Sequence, residues 1–228
     1  MIISDLKSGV KNPNRVNVYV DGRYAFSLDV AQVVDLKIKS GLVITPEKKA
    51  EYEKASQYGK VYQRALEWAL IRPRSKQELK EYLRRNKYKA EMKERQKEWQ
   101  EGRENEQQVK RKKNKSSREG EEYDFSELIC ERLVERGYVD DRKFAEYYVE
   151  NRFVKKGVSK KRLMMELMKK GVSREIIEEV VNGRDDTEEI LKIIAKKRNK
   201  YDDEKLIQYL CRQGFPYEMV KNLVEEKD

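Results

Sequence analysis

Histidine is absent from the 228 residues. That absence removes the commonest general base, the Ser-His and Cys-His nucleophile pairs and the commonest zinc ligand. No glycine-rich phosphate loop is present either, so ATPase and zinc-enzyme chemistry are excluded by type. Cysteine occurs only at Cys130 and Cys211, in no metal-knuckle or redox spacing, and both are expected as buried free thiols of a reducing cytosol. No apolar run approaches the roughly 18 residues of a membrane span, and the N-terminus lacks a signal-peptide core. The reading is therefore cytoplasmic, with no membrane partner, no cofactor and no metal. Apolar residues make up 38% of the chain and charged residues 41%, so the interior must be thin and each element must show one face to water.

What the chain has in excess is positive charge, +10 overall from 52 Lys and Arg against 42 Asp and Glu. Clustered cations gain by releasing counterions from a phosphate backbone, which points to a polyanionic partner, though a solvated lysine-rich surface gives the same total. The excess belongs to the middle of the chain. Residues 57–86 hold eight cations against three anions and 140–183 eleven against eight, whereas 184–228 hold ten against eleven.

Hydropathy patterning predicts a mainly α protein built of tandem three-helix repeats in an elongated curved stack, preceded by a small β region. In RVNVYVDGRYAFSL, Val16, Val18 and Val20 alternate, Asp21-Gly22 breaks the run, and Tyr24, Phe26 and Leu28 resume it, which is the pattern of a β-hairpin. Ile2, Ile3 and Leu6 suggest a third strand. A helix is expected over Val30–Ser40, ended by Gly41, and another from Thr45-Pro46-Glu47 with Thr45 as N-cap.

From residue 58 the apolar spacing is 3 and 4, and it repeats. At an offset of 43, Leu163, Leu167, Gly171, Ile177 and Val180 match Leu206, Leu210, Gly214, Val220 and Leu223; at 84, Ser75, Leu79 and Leu83 match Ser159, Leu163 and Leu167. The expected division is 1–56, then 57–139 with a charged insertion at about 89–123, then 140–183 and 184–228. A unit of this size should lean on its neighbours for stability. Within the second unit the core is expected from Phe144, Tyr147, Tyr148, Leu163, Leu167, Met168, Ile177, Val180 and Val181. Ser75 with Glu78, Asp124 with Glu127 and Asp186 with Glu189 fit capping-box spacing, and Gly171 and Gly214 fit left-handed helix ends.

Two groups of residues are candidates for function. The pairs Asp140-Asp141, Asp185-Asp186 and Asp202-Asp203 could hold Mg²⁺ for phosphodiester cleavage. Each directly precedes a helix, however, where aspartate caps free amides, and capping is the reading taken. The second group is basic. Lys155, Lys156, Lys160, Lys161 and Arg162, with Arg152 just before them, surround a loop at Gly157 and a helix N-terminus, a natural docking point for phosphate or carboxylate. Arg72, Arg74 and Lys76 occupy the matching loop of the first unit, while the third unit carries Tyr201, Asp202 and Asp203 there.

Four segments in order, RVNVYVDGRYAFSL, RPRSKQELKEYL (72–83), ERGYVDDRKFAEYYVENR (135–152) and YLCRQGFPYEMV (209–220), resemble the RecX family. The resemblance implies three tandem three-helix repeats and a non-enzymatic regulator that binds the RecA recombinase and its filament on single-stranded DNA, modulating and most simply inhibiting it. Single-stranded DNA, and double-stranded DNA as well, are the nucleic-acid partners this implies for a monomeric basic stack. The insertion departs from the family pattern, and Asn86-Lys87-Tyr88 stands where the other units have a glycine turn.

Overall fold

A computed structural model describes residues 1–9, 12–87, 92, 124–152 and 158–226. The expected insertion lies outside these residues except for Met92, as do Lys155, Lys156 and Gly157. The chain forms two compact units, one containing residues 1–68 and 124–129, the other containing 69–87, 130–152 and 158–226.

The first unit opens with an antiparallel sheet in the order β1 (Ile3–Ser8), β2 (Arg15–Val20), β3 (Arg23–Asp29). Asp21 and Gly22 both take positive φ, 48° and 78°, which suits the twist of a two-residue hairpin. The alternation predicted for β3 is only partly kept. The register slips between Val18 and Tyr19, so that Val18 faces Phe26 but Tyr19 faces Tyr24. This bulge puts Tyr24 on the outer face, edge-on to Tyr19, while Val18, Val20, Phe26 and Leu28 stay buried.

Helix α1 covers Val30–Asp35, started by a capping box between Asp29 and Gln32. It is shorter than the spacing predicts because Lys37 adopts φ 52°, and the Lys37 and Ile38 amides bond back to Val34 and Val33 at 3.0 Å each. That closure is a Schellman motif with lysine in the place usually taken by glycine, and it turns Ile38 into the core. Helix α2 (Pro46–Leu70) starts at Thr45, whose Oγ1 accepts the Lys48 amide at 3.2 Å, and continues without a break past residue 57. Its Tyr52 packs on Phe26, and Ser56 donates to the Ser27 carbonyl at 2.6 Å, seating the helix on the sheet.

The second unit holds α3 (76–87), most of α4 (Ser126–Glu135), α5 (Asp141–Arg152), α6 (Lys160–Lys169), α7 (Arg174–Asn182), α8 (Asp186–Lys197), α9 (Asp203–Arg212) and α10 (Tyr217–Glu225). Helices α5 and α6 pack on α7, and α8 and α9 pack on α10, giving two three-helix bodies of one design. Their cores align at the predicted offset: Leu163, Leu167, Val172, Ile177 and Val181 are buried, as are Leu206, Leu210, Phe215, Val220 and Val224. Val181 and Val224 are the fully buried pair, with Val180 and Leu223 one position off the axis of the core. Met168 departs from its expected core place and lies half exposed. Cys130 is buried and Cys211 half-buried, and neither is in a disulfide. Among the described residues no helix is long and apolar enough to cross a membrane.

Candidate functional site

The joint from α3 to the body of α5 to α7 and the joint from α6 to the body of α8 to α10 are built from the same parts, and they contain most of the candidate residues. Ser75, just before α3, accepts the Glu78 amide at 3.1 Å and donates its hydroxyl proton to the Lys170 carbonyl at 2.8 Å. Ser159, just before α6, accepts the Arg162 amide at 3.2 Å and donates to the Gln213 carbonyl at 3.0 Å. A hydroxyl can cap its own helix and still reach the next body, because it is donor and acceptor at once. Asp202, at the same place before α9, is acceptor only and takes the Lys205 amide at 2.9 Å and the Lys205 ammonium at 2.7 Å.

The aspartate pairs complete each joint. Asp140 caps α5 through the Arg142 and Lys143 amides, and Asp185 caps α8 through the Thr187 amide. In these two pairs the second aspartate reaches across instead, while Asp203 of the third pair is approached by Arg198 at 3.8 Å. Asp141 accepts the Lys76 amide at 2.8 Å, and Asp186 accepts the Lys160 amide at 2.9 Å. The capping box expected at Asp186 and Glu189 is therefore displaced: α8 begins one residue earlier than its spacing suggests, with Asp185 as the cap. At the start of α4, Asp124 accepts the Ser126 amide at 3.0 Å. Among the described residues no cluster of three or more His, Cys, Asp or Glu could hold a metal.

This accounting changes the meaning of the basic residues. The N-termini of α3 and α6 do bind an anion, but it is a carboxylate of the same chain. Arg72 pairs with Glu78 at 3.1 Å and Arg74 approaches it at 3.9 Å, while Lys170 contacts it from the next body at 2.9 Å. Burial pushes the Glu78 carboxyl up, and the bonds from Lys170 and Arg72 more than reverse this, holding it below its usual range. Arg152 and Arg162 both engage Glu166, at 2.9 and 3.4 Å, and Arg162 also donates to the Gln213 side chain at 2.9 Å. The Lys160 ammonium donates to the Asn182 carbonyl at 3.2 Å. Lys76 and Lys161 have exposed side chains. Of the aromatic residues near these joints Tyr138 and Tyr217 are exposed, whereas Phe144 and Phe215 are core.

Among the described residues Glu166 is a strongly perturbed carboxylate, pushed down to about 2 from 4.5, chiefly by the Arg152 guanidinium and further by the Tyr148 hydroxyl, against burial. A shift of that size corresponds to about 3 kcal/mol, of which about 2 kcal/mol should survive screening at a partly exposed site. Because the folded carboxyl has the lower pKa, this stabilisation is complete above pH 4.5 and is lost as the pH falls toward about 2. Glu166→Gln should therefore destabilise the protein by about 2 kcal/mol at neutral pH and flatten its acid limb, measured by urea unfolding across that window. An unchanged acid limb would place the acid-sensitive groups elsewhere.

Comparison with known proteins agrees with this architecture. Residues 1–45 match a family model described as the regulatory protein RecX N-terminal domain, and residues 140–181, spanning α5 to α7, match one described as RecX, second three-helix domain. The regulatory protein RecX of Listeria monocytogenes serotype 4b is 25% identical over 231 residues, covering 97% of this chain and 74% of that protein. That of Chlorobium phaeobacteroides is 32% identical over 112 residues, covering 45% of this chain and 74% of that protein. A crystal structure titled regulatory protein RecX shares the fold with a TM-score of 0.64 at 21% identity, covering 97% of this chain and 98% of that one.

Proposed function

The chain belongs to the RecX family of regulatory proteins, and from that premise we propose that it binds the RecA recombinase and its filament on DNA and inhibits recombinase, ATPase and coprotease activity without catalysing a reaction itself. Family membership is the observation that carries this reading. The joints support it, because bodies locked by the same serine and aspartate bonds hold their exposed cations in a defined register along the chain. Lys76 and Lys161 each stand within the first two residues of a joint helix with the side chain free to reach outward. These two lysines, with Lys155 and Lys156, are the cations we assign to the nucleoprotein partner. Arg72 and Arg74 pair with Glu78 at the first joint, Arg162 crosses the second through Gln213, and Arg152 binds Glu166 within one body, so these arginines reach a partner only with their remaining donors.

Single-stranded-DNA-dependent ATP hydrolysis by RecA should fall severalfold as the protein is added, and Lys76→Glu with Lys161→Glu should raise the concentration needed about tenfold, the effect of reversing two partner-facing charges at low salt. The helical circular dichroism of that variant should match wild type. An ATPase rate that never changes with wild-type protein overturns the proposal. The second reading is a free-standing DNA-binding protein, favoured by the net charge of +10. It requires tight binding to naked DNA without RecA, with log affinity falling linearly in log salt.

A further inference from the structure

The joint between α6 and the body of α8 to α10 is flanked by a groove of about 890 Å³ that the basic residues do not explain. One wall is α6, with Met164, Met165 and Met168; the other is the α9–α10 turn and the start of α10, with Phe215, Tyr217 and Met219. Four of these side chains stay substantially in water, Met165 at 52%, Met168 at 48%, Tyr217 at 54% and Met219 at 36%. Contiguous exposed apolar groups of this kind mark interaction surfaces, and thioethers adapt their shape to whatever enters.

The repeat supplies an internal control. The first joint has the same serine and aspartate bonds, yet at the positions equivalent to Met164, Met165 and Met168 it carries Lys80, Glu81 and Arg84, and opposite them Arg174 stands where the second joint has Tyr217. Holding two bodies together therefore does not need an apolar wall. The methionines are surplus to the joint.

The groove is also electrically asymmetric along its length. Lys160, Lys161 and Arg184 line it beside the first turn of α6, and the methionines follow one and two turns later. Asp186 on this rim is already spent on the Lys160 amide and Asp185 on the Thr187 amide, whereas among the described residues Lys161 has no ion pair. From Lys161 to Met168 is about 10 Å along the helix, two turns, which matches apolar residues at i, i+3 or i+4, and i+7 of an incoming helix.

We infer that this groove docks a short amphipathic helical segment of a protein partner, seating two or three bulky apolar side chains on Met165, Met168, Tyr217 and Met219 while a carboxylate at one end meets Lys161. The inference does not depend on which protein is regulated. A protein segment is favoured over nucleic acid because thioethers flex around branched side chains, while base stacking needs flat rings and only Tyr217 is an exposed ring here.

The test uses the full chain and a fluorescein-labelled peptide of about 15 residues, helical, with leucines on one face and glutamates at one end, against a peptide of the same composition in scrambled order. Anisotropy should give binding in the tens of micromolar for the first and at least tenfold weaker binding for the second. Met165→Gln with Met168→Gln should weaken it at least tenfold, Lys161→Glu severalfold, and Glu81→Lys in the first joint not at all, with thermal melting of all three near wild type. Failure of the ordered peptide to bind, equal binding of the scrambled one, or unchanged affinity in the methionine variant overturns the inference. Displacement of the peptide by oligothymidine does so too, since it would assign the groove to DNA.

Discussion

Gly171→Ala is expected to destabilise the protein by about 3 kcal/mol, and Gly137→Ala by only about 1 kcal/mol, although the two glycines have nearly the same backbone. Their φ angles are 76° and 71°, and each ends a helix with a Schellman pair of bonds, from Gly171 and Val172 to Met168 and Leu167, and from Gly137 and Tyr138 to Val134 and Leu133. The left-handed conformation alone costs an L-residue about 1–2 kcal/mol. At Gly137 nothing lies within 4 Å of an added Cβ, so that is the whole penalty. At Gly171 the new methyl would sit 2.6 Å from the Gln77 Cβ, forcing α3 away from the next body. Overpacking of a stiff contact adds about 1–3 kcal/mol. Gly214 repeats the case, its methyl meeting the Ser159 hydroxyl at 2.6 Å and displacing the group that caps α6. Urea unfolding followed by circular dichroism measures all three, and equal losses at Gly137 and Gly171 would mean that close approach at the joint is not what selects glycine.

Gly171 and Gly214 were visible in the sequence as helix ends, because they recur at a fixed offset where the apolar periodicity stops. Their second role was not. Close approach to Gln77 or Ser159 depends on a neighbour 94 or 55 positions away, and one sequence carries no record of such pairs. The same boundary separates the other readings. Asp21-Gly22, Thr45-Pro46 and the 43-residue offset are local signals, and the hairpin, the start of α2 and the aligned cores follow from them. The end of α1 was misplaced because Lys37 does a glycine's work, held left-handed by the pull of Ile38 into the sheet core. Tyr24 was misassigned because a bulge changes the period of a strand without changing its composition.

For the candidate site the lesson is about which groups consume the charges. Counting cations at helix starts picked out both joints, since Lys76, Lys160 and Arg162 all lie there. It assigned them outward, because the carboxylates that occupy these helix starts, Asp141 and Asp186, come from other helices, and the pairing of Arg162 with Glu166 four residues on shows only in the structure. A signal was present. Serine at 75 and 159 against aspartate at 202 distinguishes caps that can donate onward from one that cannot, and the doubled aspartates begin the bodies that receive them. The exposed methionines were hidden for a simpler reason, that Met168 directly follows Leu167 and stands four residues after Met164, so it looks like a continuation of the core.

If the second aspartate of each pair works across the joint, Asp186→Ala should cost about 3 kcal/mol and Asp141→Ala about 1 kcal/mol. Asp141 is part-exposed, and its loss frees one amide that water can reach. Asp186 is buried beside Arg184, whose side chain is also buried, with Nε 3.8 Å from Asp186 and the guanidinium 3.9 Å from Glu189. Burial lowers the Arg184 pKa, and the two carboxylates oppose it. Removing Asp186 therefore takes the acceptor from the Lys160 amide and one compensating carboxylate from a buried charge. Asp186→Asn keeps an oxygen for the Lys160 amide and loses only the charge, so its loss should fall between wild type and Asp186→Ala. Ser159→Ala removes the neighbouring cap of the same helix, and its combination with Asp186→Ala should be less damaging than the two losses added, because a helix start that has already come undone cannot be released twice. Strict additivity in urea unfolding would show the two bonds to be independent and the joint to be a set of separate contacts.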